Sequence, residues 1–586
     1  MHKPSLIILL ASMSILTGQL LLAQPTSSPT APVEAQLLDQ SKPIERELKA
    51  NETHAYKINL EAGEFLNAAV NQRGIDVVVR VFAPDGSKIA DIDSPNGTQG
   101  DEPIALEAKT TGAYRVEVSP VDPAPQPGRY EIRINEILSG DAYARRLAEN
   151  KRKQQCVIAW LKNNATPIKT VEAGNGFEDL QPLKRVFKNV RFVGLGEETH
   201  GTREFFQFKH RMLEFLVKEM GFRIFAIEGS YSACQNINDY VMGRRDDGAA
   251  ALDSQGFWTW NTQEVRAMLD WMREYNAGVR PEKKVKFVGF DIQFNDTGKS
   301  NLLEYLKQVA PERSSETETF FKVNEQKLGS IVITRGDKAK EALAKLKELK
   351  DQYNDLFVFL EISGARLAAK SSQTEYEQMR EYARVMLQHI ISYGNTNENQ
   401  SFGLRDLYMA DNFRRIVERE PAGTRFVLWA HNGHIATRDS EDAPSFPSFG
   451  SHLRRFYGKG YYALGFSFNQ GGFQSREAEA KDPAKRMLLS FKANPALADS
   501  IDWYLAQTGL KSFVVDFRSG HRNAELAEWL ATPHPMRSVG SMYAPGFEQQ
   551  SFGPTTIAKE FDGLFFIDTT TRARPNPSVK DVAQAP

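Results

Sequence analysis

Glu197 and His200 stand three residues apart in Gly194-Leu-Gly-Glu-Glu-Thr-His200, and His431 and His434 are three apart around Asn432-Gly433. A carboxylate close to an imidazole raises the imidazole pKa and fixes its orientation, which is what a general base for water activation needs. The paired histidines can donate to a developing oxyanion, bind substrate or ligate a metal. Glu228 closes the apolar run Ile224-Phe-Ala-Ile-Glu228, and Asp291 closes Val285-Lys-Phe-Val-Gly-Phe-Asp291. A carboxylate at such a place is costly unless it is paired or faces a cavity. Structural duties compete for some of these residues: His200 as a cap, Asp291 as a helix cap or a structural partner. Taken together, the set supports proton transfer.

The elements that must position these groups are legible around them. Arg191-Phe-Val-Gly-Leu-Gly-Glu197, Ile224 to Glu228, Val285 to Asp291 and Phe426-Val-Leu-Trp-Ala-His431 are short runs rich in Val, Ile and Phe, separated by long helical stretches. They read as buried strands of a parallel sheet. In open α/β sheets ligands bind beyond the carboxyl ends of the strands. Glu197, His200, Glu228, Asp291, His431 and His434 are therefore predicted on one rim of one sheet. Thr202 is available to cap a helix from Arg203 to about Glu219, and Gly194 and Gly196 let the chain turn tightly and approach a ligand. Further strands are predicted at Tyr461 to Phe466, Ser512 to Phe517 and Gly563 to Asp568. Between Asn301 and Tyr393 two amphipathic segments, Lys338 to Lys350 and Glu375 to Ile391, predict a helical insertion or lid.

At 586 residues the chain is too long for one ordinary domain. Lys plus Arg number 73 against 74 Asp plus Glu, so no charge bias favours nucleic acid or an acidic membrane surface. Residues 1–23 pair an N-terminal positive charge with an interrupted apolar stretch and read as an export signal, so the mature chain is expected outside the cytoplasm, periplasmic or extracellular, with no membrane span. Residues 24–40 read as a flexible linker. Over 41–138, alternating segments such as Ala55 to Leu60, Asp76 to Phe82, Ala113 to Val118 and Arg129 to Ile134, with turns at Pro84-Asp-Gly86 and Thr111-Gly112, predict a β-sandwich. A connecting helix over 139–164 leads to a large α/β domain over 165–570, and 571–586 reads as a disordered tail. Cys156 and Cys234 permit one disulfide or two free thiols, and too few cysteines exist for a cysteine-built metal site.

No G-x-S-x-G elbow is present, neither cysteine sits in a nucleophile setting, and Gly194-Leu-Gly196 lacks both the third glycine of a dinucleotide fingerprint and a Walker lysine. Direct attack by water remains. Glu64-Phe-Leu, Val77 to Gly86 and Gly112 to Val118 resemble the bacterial pre-peptidase C-terminal type of β-sandwich. That resemblance implies an accessory without chemistry of its own, able to contact a surface or polymer. Gly196 to Phe206, Phe208-Lys-His-Arg-Met212, Phe225-Ala-Ile-Glu228, Trp258-Thr-Trp260, Gly289-Phe-Asp-Ile-Gln293, Arg405-Asp-Leu-Tyr-Met-Ala-Asp-Asn412 and Trp429-Ala-His-Asn-Gly-His434 together resemble the erythromycin esterase family. The resemblance implies hydrolysis of a macrolide lactone by activated water, with His200 as base, Glu197 beside it, and Glu228, His431 and His434 lining the same cleft.

The expected protein is thus an exported carboxylic ester hydrolase acting on a small-molecule ester or macrolide, with no required cofactor. Catalysis is assigned to His200, Glu197, Glu228, His431 and His434, and substrate contact to Arg203, Trp260 and Asp291. The alternatives are a hydrolase using a divalent metal held by His431, His434 and a carboxylate, and a non-catalytic envelope binding protein.

Overall fold

The computed structural model describes residues 35–586, apart from 95, 123–126, 333–338, 396–397, 439–445, 480–485, 581 and 583–586. The export signal and residues 24–34 of the predicted linker therefore lie outside the described residues. The chain divides into two units, residues 1–152 and 153–586.

In the first unit, Val77, Val79 and Val81 are buried while the residues between them are partly exposed, the period of a half-buried strand. One sheet runs in the order Gln36–Leu37, His54–Leu60, Gly112–Pro120, Val77–Phe82, Lys88–Ile92, and the other in the order Ile44–Leu48, Gly128–Leu138, Phe65–Arg73, Gln99–Glu107. One apolar cluster takes Tyr56, Val79 and Val116 from the first and Leu66, Ile104 and Ile132 from the second. Polar atoms within it are paired: Tyr130 Oη lies 2.5 Å from Tyr56 Oη and 2.7 Å from His54 Nδ1. Folded structure begins before residue 41, because Gln36–Leu37 pairs in parallel with His54–Leu60 and Leu38 is buried.

The second unit is built on one sheet whose central order is Gly563–Thr570, Tyr461–Glu477, Phe192–Leu195, Phe426–Trp429, Ile224–Ser230, Lys286–Asp291, every neighbouring pair parallel. Antiparallel pairs extend it through Ser512–Asp516 and Ala165–Pro167. The two central strands Phe192–Leu195 and Phe426–Trp429 are apolar and buried at every position because both faces are covered. Val193, Ile227 and Trp429 enter one core with Phe205, Met212 and Leu216 of the helix Arg203–Met220. Phe192, Ala226 and Leu428 enter the other with Met409, Phe413 and Ile416 of the helix Glu398–Glu418. The inserted helices Asp296–Val309, Pro311–Val332, Ala339–Lys370 and Gln373–Tyr393 carry a separate core that includes Leu302, Leu349, Tyr353 and Met386. Cys234 is a buried free thiol. Among the described residues no helix is long and apolar enough to cross a membrane.

Two sequence expectations need correction. Residues 571–576 are not a disordered tail: Thr202 bridges Arg572, Thr262 bridges Pro575, and Ala573 is fully buried. The composition is polar, but the unpaired backbone of two loops offers the segment partners that composition does not reveal. Gly194 and Gly196 make room for the protein itself. A Cβ on Gly194 would lie 2.8 Å from the Tyr461 hydroxyl, and one on Gly196 would lie 2.1 Å from Asn432 Oδ1.

The strand ending at Asp291 is anchored at its start by Asn276. This buried amide donates to Val241 O and Val285 O at 3.1 and 2.8 Å and accepts from Val285 N at 2.7 Å. Replacing Asn276 with Ala leaves buried backbone groups unpaired and is expected to cost about 3 kcal/mol, read as a fall in the urea midpoint. An unchanged midpoint would show that the anchor contributes nothing.

Candidate active site

Four neighbouring strands deliver the candidate residues. Phe192–Leu195 leads into Glu197 and His200, Phe426–Trp429 into His431 and His434, Ile224–Ser230 carries Glu228, and Lys286–Asp291 ends on Asp291.

Glu197 has no exposed surface and every oxygen is used. Oε1 lies 2.6 Å from His200 Nδ1, while Oε2 accepts from Lys209 Nζ at 2.7 Å and from Trp429 Nε1 at 2.8 Å. Burial pushes this carboxyl up, but Lys209 and His200 together outweigh it and hold the group below the usual carboxylate range. Burial likewise draws the Lys209 ammonium down to about 8, against the opposing pull of Glu197. The ammonium also sits 4.1 Å from the centre of the Trp429 ring. A carboxylate only accepts, so the proton of a neutral His200 resides on Nδ1 and Nε2 carries the lone pair. The Trp260 and His200 rings meet edge to face at a centroid distance of 5.6 Å.

A second buried network joins the other strand ends. Arg405 Nη2 donates to Glu228 Oε1 at 2.7 Å and to Asp291 Oδ2 at 2.8 Å, and Arg405 Nε donates to Asp291 Oδ1 at 3.1 Å. Glu228 Oε2 accepts the backbone N–H of His431 at 2.9 Å. His434 lies between carboxylates, with Nδ1 2.6 Å from Asp406 Oδ1 and Nε2 3.2 Å from Glu228 Oε1. Burial favours the neutral ring, but Asp406 and Glu228 more than reverse this and raise His434 to about 10. Asp406 and Glu228 thus favour the protonated ring, with Nδ1–H donating to Asp406. Nε2 faces Glu228 Oε1 and also lies 3.0 Å from Arg405 Nη1, which donates to it when the ring is neutral. For Glu228, burial is again the largest influence and raises the carboxyl, yet His434 and Arg405 hold it well below the usual range.

His431 differs from both. Its ring centroid is 4.9 Å from that of His200, and burial followed by the neighbouring His200 pushes it down to about 3, so it is neutral. Nδ1 accepts the Gly433 N–H at 3.1 Å, which leaves the proton on Nε2. That Nε2–H is buried and has no partner among the described residues.

The structure brings Glu197, His200, Glu228, His431, His434 and Asp291 together as expected from the strand ends. It does not support the substrate contacts assigned to three residues. Asp291 is fully buried and spent on Arg405, because an ionised group there requires a cation. Trp260 is 1% exposed, and its indole N–H donates to Glu228 O at 3.1 Å, so it packs beneath His200. Arg203 Nε lies 3.6 Å from the buried carboxylate of Glu264, which takes up its charge. The metal alternative meets a similar objection. The nitrogens of His434 face carboxylates and His431 Nδ1 is held by Gly433, and among the described residues no three His, Cys, Asp or Glu side chains are grouped to hold a metal ion. Lys209, Arg405 and Asp406 carried no assigned role. Their signal is a charge at the head of an apolar helical stripe: Lys209 continues Phe205 and precedes Met212 and Leu216, and Arg405 precedes Met409 and Phe413.

The folded pKa of His434 exceeds the value of about 6.5 for an exposed imidazole. Its ion pairs therefore contribute stability in full below about pH 6.5 and lose it as pH rises through about 10. The His434 ring proton resonance is expected to stay constant from pH 6 to 9, and Asp406→Asn should bring its titration into that window. A wild-type resonance that titrates near 6.5 contradicts the assignment.

The erythromycin esterase family model matches residues 217–570, beginning after the Glu197–His200 loop. The chain is 23% identical over 439 residues to the erythromycin esterase type II of Escherichia coli, covering 70% of this chain and 97% of that protein. It is 23% identical over 436 residues to the hydrolase-named protein YbfO of Bacillus subtilis (strain 168), covering 70% and 90%. In fold it matches a Bacillus cereus protein with a TM-score of 0.60 at 23% identity, over 72% of this chain and 99% of that one. A mutant of the erythromycin esterase EreC in its open conformation matches with a TM-score of 0.53 at 16% identity, over 71% and 99%. The chain belongs to the erythromycin esterase family.

Proposed function

We propose that this protein hydrolyses a carboxylic ester or lactone by water that His200 activates. The observation that carries the reading is the Glu197–His200 contact of 2.6 Å with the His431 ring 4.9 Å away. Glu197 holds Nδ1–H, so Nε2 takes a proton from water as the hydroxide equivalent adds to the ester carbonyl. The imidazolium that forms is stabilised by the fully buried carboxylate, whose own charge Lys209 and Trp429 keep in place. The oxyanion of the tetrahedral intermediate then accepts from His431 Nε2–H, a neutral donor with no competing partner among the described residues. Collapse expels the alkoxide, which takes back the proton from His200. His434 does not serve as the oxyanion donor in this scheme, since Asp406, Glu228 and Arg405 occupy both of its nitrogens; with Glu228 it orients the His431 backbone.

Relatives named erythromycin esterase support a macrolide as one substrate. Gln293 to Asp296, with Lys299, Met386 and Tyr393, line a cavity of about 280 Å³ just beyond Asp291, on the side where ligands of parallel sheets bind. A cavity of this kind suits part of an amphiphilic ester. The N-terminal apolar segment supports an exported enzyme that meets such compounds outside the cytoplasm.

The test is mass spectrometry of erythromycin and of a panel of simpler esters after incubation with purified protein. Gain of one water by a substrate is expected with the wild type. His200→Ala should lower kcat by about 10²- to 10⁴-fold and His431→Ala by about 10²- to 10³-fold, both with a native circular dichroism spectrum. Wild-type turnover by His200→Ala would remove it as the base.

A further inference from the structure

Residues 571–576 continue from the strand Gly563–Thr570 as an extended segment across two loops, one carrying His200 and the other Trp260. Pro575 and Pro577 bar a helix here, which leaves backbone groups free to pair with neighbours. On the His200 side, Ala573 N donates to Gly201 O at 2.9 Å and Arg203 N donates to Thr571 O at 3.0 Å. Thr571 N also donates to the Glu204 carboxylate at 2.7 Å. On the Trp260 side, Gln263 N donates to Arg574 O at 2.8 Å and Asn576 N donates to Asn261 O at 3.0 Å. Arg574 Nε meets Glu264 Oε1 at 2.7 Å, and Asn576 Nδ2 donates to Asn261 Oδ1 at 2.9 Å.

The bonded residues are immediate neighbours of the two rings. Gly201 follows His200, Asn261 follows Trp260, and the rings meet edge to face at 5.6 Å. Gly201 is also pressed against the adjoining strand, where a Cβ would come within 1.9 Å of Gln474 O. The loop is thus clamped from both sides, by Gln474 N and by Ala573 N on the same Gly201 carbonyl. The family match ends at residue 570, just before this segment.

We propose that residues 571–576 form a positioning strap that sets the orientation of His200 by joining its loop to the Trp260 loop. The strap touches neither substrate nor reacting atoms. It acts on the direction of the Nε2 lone pair, and in catalysis it rests on the reading of His200 as the base. Small displacements of a base are costly, because about 1 Å of misplacement can lower a rate about 10²-fold.

The test compares the full chain with one ending at Thr570, measuring kcat, KM and the His200 ring proton resonance, assigned by its loss in His200→Ala. The shortened protein should show at least a tenfold lower kcat with KM changed less than threefold, and a displaced His200 resonance. A synthetic peptide of residues 571–580 added in trans should restore both, as an extended peptide re-pairs with exposed backbone. Unchanged kcat and resonance, or losses that the peptide leaves unrepaired, overturn the strap. If the shortened chain does not fold, the double variant Arg574→Ala with Asn576→Ala replaces it. That variant should displace the resonance and lower kcat severalfold, and a wild-type resonance overturns the proposal. Should the wild type hydrolyse no ester, the resonance alone decides the strap, so its failure stays distinct from failure of the esterase reading.

Discussion

Ionised groups buried at the carboxyl ends of four adjacent strands set the terms for the rest of the second unit. A charge removed from water requires a partner of opposite sign and hydrogen bonds for its remaining atoms. Glu197 meets this with Lys209, His200 and Trp429, and Glu228 with Arg405, His434 and the His431 backbone. These partners are drawn from several elements far apart in the chain. The helix Arg203–Met220 must lie over the sheet with Lys209 facing inward, and Glu398–Glu418 must place Arg405 and Asp406 over the same strand ends from the other face. The apolar stripes that bind these helices to the two faces of the sheet therefore also align the charges.

The two networks leave the histidines in different states. His434, between two carboxylates, is charged, whereas His431, buried beside His200 and bonded to Gly433, is neutral. Sequence places them three residues apart in the same turn, yet their chemistry is opposite. Charge at His434 strengthens its grip on Glu228, and neutrality at His431 leaves a donor available without adding a second cation against His200. One rigid ion network thus holds the turn, while the ring that meets the reaction is the one not consumed by it.

Much of the site was legible from the strand ends. A run of apolar residues that stops on Glu, Asp or His is informative, because parallel strands tolerate no unpaired charge within and their ends share one edge. Two of the misassigned residues share a cause. Asp291 and Trp260 lie at the right rim but face inward, and a rim position does not reveal which way a side chain turns. The metal set failed for a related reason: spacing of three brings His431 and His434 into one turn, but the acceptors around them decide whether their lone pairs are available.

The sequence by itself determined the order and period of the elements, the two-part organisation and which strand ends carry ionisable groups, since these follow from local hydrophobic patterning. Only the tertiary structure decided the pairing. Arg405 reaches Glu228 across 177 positions and Asp291 across 114, and Lys209 reaches Glu197 across 12. The extended segment after Thr570 finds its partners in loops more than 300 residues earlier, as in Arg574 with Glu264 across 310. No local spacing encodes such contacts. They form because folding brings unpaired backbone and buried charge to the same place, where the cost of leaving either unsatisfied selects the partner.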